Sequence, residues 1–449
     1  MTLWMRLKEL RRYPSAMAGV FVMLLLVLMS IYAVVRYPYS QAITLWRAGE
    51  MVWLENPRNA APKWFNWFGA DLPETIILTP EKGRVLATEA LGGGGKRQTV
   101  LYTFDYPWKG GFPREISIFF ESTYVRTPPQ VLLFWRTPDG REINLGTQVL
   151  RRSGRYLLSA DPALIKRLGD RPPHEALFAR PALAANAGGP ERPLPGRYEL
   201  ICDIFTFEPE SEVKLKTIIY GQVHGWAGTD HLRRDISIAL LWGAPIAIAF
   251  GMSAALTLTL WYLTISALGA WFGGWVDALV DRLTELRMIL PLLPILIMIG
   301  MFFSRSLWII LAALIAYGLI GGSKGYRAMY LQARTLPYLE AARAYGAGNF
   351  RIVFRYLVPR FLPLAIPAFV QAIPSYVFLE ASLALLGLGD PLLPTWGKVI
   401  QDAYSQGALF VGYYYWILLP AAMLLVTGVG FAMVGMALDR IFNPKLRTL

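Results

Sequence analysis

From Ile236 to Phe272 the chain runs without one charged side chain. That is nearly twice the roughly 20 residues a helix needs to cross a bilayer. A helix apolar on every side must be covered all round, by protein or by lipid. Runs of the same kind recur at Ala16–Val35, Met288–Ser304, Leu307–Gly322, Phe361–Leu379 and from about Phe410 to Leu438. Six spans follow, so the chain reads as a mostly α-helical polytopic membrane protein. Pro245 and Gly251 allow a kink within the longest run. A signal peptide would have a shorter apolar run and a small-x-small cleavage site after it. Ala16–Val35 has neither and reads as an uncleaved first membrane helix.

Charge sets the orientation. The formal net charge is +13, which in a soluble protein would suggest a nucleic-acid partner. Residues 36–235 carry 26 Lys/Arg against 22 Asp/Glu, and the rest of the chain carries 18 against 9. The excess therefore sits on short segments between apolar runs, as the positive-inside rule demands, and no nucleic acid is needed to explain it. Arg6, Lys8, Arg11 and Arg12, the 273–287 link, the segment Ser323–Arg360 and the tail DRIFNPKLRTL all fall inside on a count of six. Both termini are then cytoplasmic, in the cell (inner) membrane with lipid as a partner, and residues 36–235 lie outside.

Those outer residues change character. Alternating segments occur at Val100–Phe104, Glu115–Glu121, Val131–Arg136, Glu142–Leu145, Tyr198–Phe207 and Val213–Gln222. Turn signals such as Pro138-Asp139-Gly140 separate them, a hairpin pattern. Gly92–Gly95 and Pro181–Pro195 read as loops. The result is a β-rich domain of sandwich type, inserted between spans 1 and 2. Cys202 is the single cysteine, so no intrachain disulfide holds this domain, and Cys202 reads as a buried strand residue. Trp64, Trp67, Trp108 and Trp135 suit either a peptide or sugar contact or a sandwich core. The organisation is thus 1–35, 36–235 and 236–449.

The sequence offers little for chemistry of its own. The three histidines form no cluster of metal-ligand spacing. Leu91-Gly-Gly-Gly-Gly-Lys96-Arg97 superficially resembles a phosphate loop, but it lacks the first glycine, has Arg97 where a magnesium-binding hydroxyl belongs, and lies outside. The spans lack the buried acid or histidine chains of proton-driven pumps. Glu380 is the one acid in an apolar run, suited to a structural pairing or to solute contact. No enzyme activity and no bound cofactor are expected.

The segment Pro337–Pro359, PYLEAARAYGAGNFRIVFRYLVP, lies within the basic stretch 323–360. Pro337 suits the first turn of a helix. Leu339, Ala342 and Tyr345 would share one face. Gly346 and Gly348 break that helix. Asn349 suits the N-cap of a second helix, which would stop near Pro359. A membrane protein with no energy source of its own and a basic helix pair inside suggests an external motor.

The residues then carry a family resemblance. Glu340-Ala341-Ala342, three residues, Gly346 and the ending at Pro359 resemble the EAA loop of binding-protein-dependent ABC importer permeases. Tyr356 and Val358 stand where that family commonly has Ile and Leu. Gly228-Thr229-Asp230 with Arg234-Asp235 resembles the GTD…GRD stretch, with Arg233 in place of its glycine. Gly273-Gly274-Trp275 with Asp277 resembles the GGW-x-D element. Glu380, Leu386-Gly387-Leu388-Gly389 and Pro394-Thr395-Trp396-Gly397 resemble E…LGLG…P-S-W-G. Leu438-Asp439 with Asn443-Pro444-Lys445-Leu446-Arg447 resembles the LD-P-R-L-R terminus. Taken in order, these are similar to the dipeptide, oligopeptide and nickel class, and there to the second, shorter permease.

The resemblance covers about residues 1–35 and 228–449 and implies a type I ABC importer permease fold. It also implies a homologous permease as heterodimer partner, two ATPase subunits binding ATP and Mg, and an extracytoplasmic substrate-binding protein. Pro337, Leu339, Glu340, Ala341, Ala342, Tyr345, Gly346 and Pro359 would form the ATPase-coupling element. Asp277, Glu380, Gly387, Gly389 and Trp396 would serve gating or the pathway. Thr229, Asp230, Arg234 and Asp235 would lie where solute enters from outside. The 36–235 insert is larger than this class usually carries; it would dock the binding protein or partner permease, or hold substrate itself. A membrane-anchored receptor or scaffold, or an exporter permease, are the competing functions.

Overall fold

The computed structural model describes residues 13–180 and 192–442. The chain divides into two compact units, one reaching to Arg47 and resuming at Ile238, the other Ala48–Ser237.

The second unit is an antiparallel β-sandwich. One sheet has the order β1-β9-β4-β7 and the other β2-β3-β8-β5-β6. The strands are β1 Ile76–Leu78, β2 Arg84–Ala90, β3 Lys96–Tyr106, β4 Glu115–Thr123, β5 Gln130–Arg136, β6 Glu142–Val149, β7 Ser153–Leu157, β8 Gly196–Thr206 and β9 Glu212–Tyr220. Period-2 alternation builds the core: Val100, Tyr102, Phe104 and Tyr106 of β3 face inward opposite Tyr198, Leu200, Cys202 and Ile204 of β8. An aromatic group centres it, with Phe104 and Tyr198 stacked at 5.7 Å and Phe178 4.7 Å from Tyr198. Trp135 is fully buried there and Trp108 packs against its edge, whereas Trp67 is 86% exposed. All six anticipated strands are present. β1, β2 and β7 were not anticipated: β1 and β7 are short, and β2 is exposed along its whole length, so it carries no inward-facing alternation to read. Part of the Pro-rich stretch, residues 181–191, lies outside the described residues.

The other unit is helical. Its helices are α1 Pro14–Arg36, α2 Tyr39–Arg47, α3 Ile236–Phe272, α4 Gly274–Ile289, α5 Leu292–Phe302, α6 Leu307–Gly318, α7 Lys324–Ala333, α8 Pro337–Ala344, α9 Asn349–Ile352, α10 Val358–Leu383, α11 Trp396–Ser405, α12 Ala408–Val411 and α13 Tyr414–Phe442. Four helical runs are long and apolar enough to cross a membrane: α1, α3, Asn349–Leu388 and α13. The pair α4–α5, bent by 73°, passes the same test together and adds a fifth if the two form one broken span. α6 has 12 residues, short of a full crossing on its own.

Packing relies on small residues, since lipid removes most of the hydrophobic drive between helices. A Cβ on Gly19 of α1 would sit 2.7 Å from the Gly430 carbonyl of α13. Gly251 places α3 equally close to α10, where a Cβ would lie 2.8 Å from the Ile373 oxygen. Gly251 thus serves close packing within a helix that runs unbroken through it.

The second helix of the basic segment does not stop near Pro359. A π-type turn over Val353–Leu357 links α9 to α10, and Pro359 sits in the first turn of α10. The wider turn changes the hydrogen-bond pattern where proline lacks its N–H, so the helix continues. The basic N-terminal residues before Tyr13 and the NPKLR tail lie outside the described residues.

Candidate functional site

The basic segment forms a short helix mounted on the end of the bundle. Pro337 opens α8 at its first turn after an extended Leu336. Glu340 falls in the first turn and Arg343 in the last, the order the helix dipole favours. Gly346 has φ +80°. Its N–H donates to Arg343 O at 2.8 Å and that of Ala347 donates to Ala342 O at 2.9 Å, the double closure of a Schellman motif. The bend after α8 is therefore a defined turn. Gly348 takes the N-cap position of α9, while the Asn349 side chain instead accepts from Trp271 Nε1 at 3.2 Å.

Leu339 anchors the element. It is 1% exposed, in a cluster with Leu263, Trp271, Tyr330, Ile352 and Leu357. Ala342 is half-buried on the same side, but Tyr345 is 92% exposed. Tyr345 sits at the C-cap, where the backbone leaves helical values, so it does not share the Leu339 face. Glu340 and Ala341 are exposed, and Glu340 makes no hydrogen bond or ion pair among the described residues. Trp271, Arg334, Leu339, Glu340 and Arg343 line a cleft of about 340 Å³. The Arg343 guanidinium lies 4.4 Å over the Trp271 ring, and Phe350, 66% exposed, packs on Phe272 with ring centroids 5.5 Å apart. Trp271, Arg343 and Phe350 were missed by sequence reasoning; the tryptophan just before Gly273-Gly274 was the available signal.

The remaining candidates fall in separate places. Asp277 of α4 accepts both arms of Arg327 of α7, at 2.7 and 2.6 Å, a bidentate fork. This pair fastens α4 to α7. Glu380 is 6% exposed in α10. Gly387 has φ +86° and interrupts the helix end. Gly389 follows at its C-cap, and Asp390 then accepts Leu307 N at 2.9 Å. Trp396 is buried and donates from Nε1 to Leu240 O at 2.9 Å. Glu380, Gly387, Gly389 and Trp396 thus form one tightly packed reversal of the chain.

Thr229, Asp230, Arg234 and Asp235 come together in the β unit. Thr229 Oγ1 donates to Pro57 O at 2.7 Å and accepts Ala60 N at 2.9 Å. Asp230 accepts Arg234 Nε at 2.5 Å; burial nevertheless pushes the Asp230 carboxyl up from its ordinary value. Asp235 accepts Ser237 N at 2.8 Å, starting the long helix. Arg233 has φ +64°, and its fully buried guanidinium grips Glu115 at 2.9 and 3.0 Å.

Apolar helices long enough to cross a bilayer, and a short exposed helix mounted on them, define an integral membrane protein. Comparison with known proteins gives its family. Residues 247–448 match the model of the binding-protein-dependent transport system inner membrane component. The oligopeptide transport system permease protein OppC of Bacillus subtilis (strain 168) is 31% identical over 224 residues, covering 49% of this chain and 72% of the relative. The dipeptide transport system permease protein DppC of the same organism is 29% identical, covering 49% and 69%. The peptidoglycan transport system permease protein YejE of Agrobacterium fabrum is 30% identical, covering 40% and 48%. The chain belongs to the binding-protein-dependent transport permeases, and it is a membrane transport subunit.

Proposed function

We propose that this chain is the second permease of an ATP-driven importer for peptides or a related small solute, as the names of its relatives suggest. It pairs with a homologous permease, two ATPase subunits and an extracytoplasmic binding protein. Nucleotide and magnesium belong to the ATPases. Six crossings are reached when the bent α4–α5 pair and the shorter α6 each supply one, which puts both termini and the 323–360 segment on the cytoplasmic side of the inner membrane.

The observation that carries the reading is the mount of α8. Leu339 is wedged in the bundle while Glu340, Ala341 and Tyr345 face outward. Glu340 offers a carboxylate to donors on the motor; Ala341 and Ala342 permit close approach. Pushing α8 moves a rigid body, because the Schellman turn at Gly346 fixes its angle to α9. The helical run then continues through the π-turn into α10, which touches α3 at Gly251. ATP-driven closure would rock this lever and re-aim the pathway. Asp277–Arg327 holds the neighbouring α4 and α7 in register meanwhile.

The test is co-purification with the cognate ATPase, followed by its stimulation on adding binding protein. A chain that neither retains the ATPase nor responds to the binding protein is not such a permease.

A further inference from the structure

Arg287 is a cation without a carboxylate. It sits in the last turn of α4, partly buried. Its Nη2 donates to Gly322 O at 2.9 Å, and its Nη1 donates to the Tyr262 hydroxyl. The guanidinium carbon lies 4.5 Å over the Tyr262 ring. Its Nε is buried with no hydrogen-bond partner, and among the described residues no acid pairs with it. Its backbone is held as well: Tyr317 donates to the carbonyls of Arg287 at 2.7 Å and Leu290 at 2.8 Å. The neighbouring basic residues differ, with Lys324 on Glu285 and Arg327 on Asp277.

A helix C-terminus and two neutral oxygens account for part of this placement. They leave a net charge beside an apolar bundle, and an ionisable group there marks a solute path unless something pairs it. Beside it lies a cleft of about 430 Å³ between α3, α7 and α10, lined by Tyr262, Tyr376, Tyr326, Ser323 and Met329 among others, and by no carboxylate. Arg287 stands just behind that lining: its Nη1 bonds the lining Tyr262 and its Nη2 the carbonyl of Gly322, the residue before the lining Ser323, while Tyr376 lines the same cleft. Tyr376 makes no hydrogen bond among the described residues, so its hydroxyl is available to a guest. The volume suits a short peptide, and the chemistry suits its acidic end.

We propose that the cleft beside Arg287 is a station for a solute carboxylate in transit, such as the C-terminus of a short peptide. Arg287 supplies the charge, Tyr262 and Tyr376 the hydroxyls, and Met329 with the ring faces the apolar wall. The inference rests on the permease reading above and adds the group that is recognised.

The test uses the full chain in nanodiscs, with binding read by titration calorimetry so that the readout alters no residue of the cleft. Trialanine and trialanine amide, which lacks the carboxylate, are titrated. Trialanine should give a saturable heat, and the amide should bind at least tenfold more weakly. Arg287→Gln should abolish that preference and Arg287→Lys should keep part of it. Should Arg287→Gln fold poorly, Tyr376→Phe loses only a hydroxyl and should still weaken trialanine several-fold. Equal responses to acid and amide would overturn the proposal. So would a saturable heat from phosphatidylglycerol and none from trialanine, which would make the cleft a lipid headgroup site. A chain that couples normally to its ATPase yet shows no acid preference sinks this inference alone, whereas loss of ATPase association sinks the permease reading.

Discussion

Arg233 shows how one residue departs from its surroundings and is held in place by them. It occupies the left-handed region, where glycine is at ease and an arginine costs about 1 kcal/mol. Its guanidinium lies 4.3 Å over the Tyr220 ring and clamps Glu115, with a further bond to Asn56 O at 2.7 Å. Arg233→Ala should destabilise the β unit by about 3 kcal/mol, the lower end for a broken buried pair, because Glu115 keeps Arg155. Arg233→Gly should cost about 1 kcal/mol less, since the backbone relaxes. Equal thermal shifts for the two variants would remove the backbone part of this argument. The motif comparison exposed the position as a departure from glycine, but no local pattern pointed to Glu115, which is far away in sequence. Two histidines give the same unit a pH dependence. Burial holds His174 and His224 below their ordinary 6.5, against the raising influence of Glu175 and Asp235. Below 6.5 the unfolded chain therefore binds protons that the folded chain does not. Their contribution is complete above 6.5 and is lost as pH falls through the folded values. The melting temperature should drop between pH 7 and 5, and a His174→Gln/His224→Gln variant should flatten that slope.

At the scale of elements, α8 and its turn were legible because they rest on local rules: proline at the first turn, glycine after the last. The end of α9 was misread for the same reason. Pro359 is a stop signal only where nothing else supports the helix, and here a π-turn and buried Val353 and Leu357 carry the chain through. Tyr345 was misplaced because helical spacing no longer applies at a C-cap. The packing partners Trp271 and Arg343 depend on tertiary contact and had no periodic signature. Two substitutions separate the roles of this element. Gly346→Val meets open space, so its cost is backbone strain alone, on the order of 1–3 kcal/mol. It should leave ATPase association largely intact and lower solute uptake per ATP hydrolysed. Leu339→Ala opens a cavity under α8, with a cost of about 2–5 kcal/mol, and should loosen ATPase association itself. Normal uptake by Gly346→Val at normal expression would take the fixed bend out of the mechanism.

For the whole molecule, one chain solves two folding problems with different forces. The β unit hides alternating faces from water around an aromatic core, so its strands were visible as period-2 patterns. The helical unit was visible as charge-free runs, but where those runs bend or shorten was not, because α4–α5 and α6 are shaped by packing between helices. Within the helical unit the stretch before the insert is tied to the long helix after it: Trp242 Nε1 donates to Tyr37 O at 3.0 Å, and the Trp242 and Tyr39 rings lie 5.8 Å apart. A Gly/Ser linker joining Arg47 to Ile238 would replace the insert, and the loop entropy that opposes it grows only slowly with its length. Such a chain should still insert in the membrane and retain the ATPase, because α8, its Leu339 seat and the Asp277–Arg327 fork all belong to the helical unit. Stimulation by the binding protein should fall sharply if the β unit is its dock. ATPase retention is read by co-purification and docking by the binding-protein dependence of hydrolysis, so each can fail alone. Full stimulation without the β unit would mean that the binding protein seats elsewhere, and loss of the ATPase would mean that the helical unit needs the sandwich to hold its own shape.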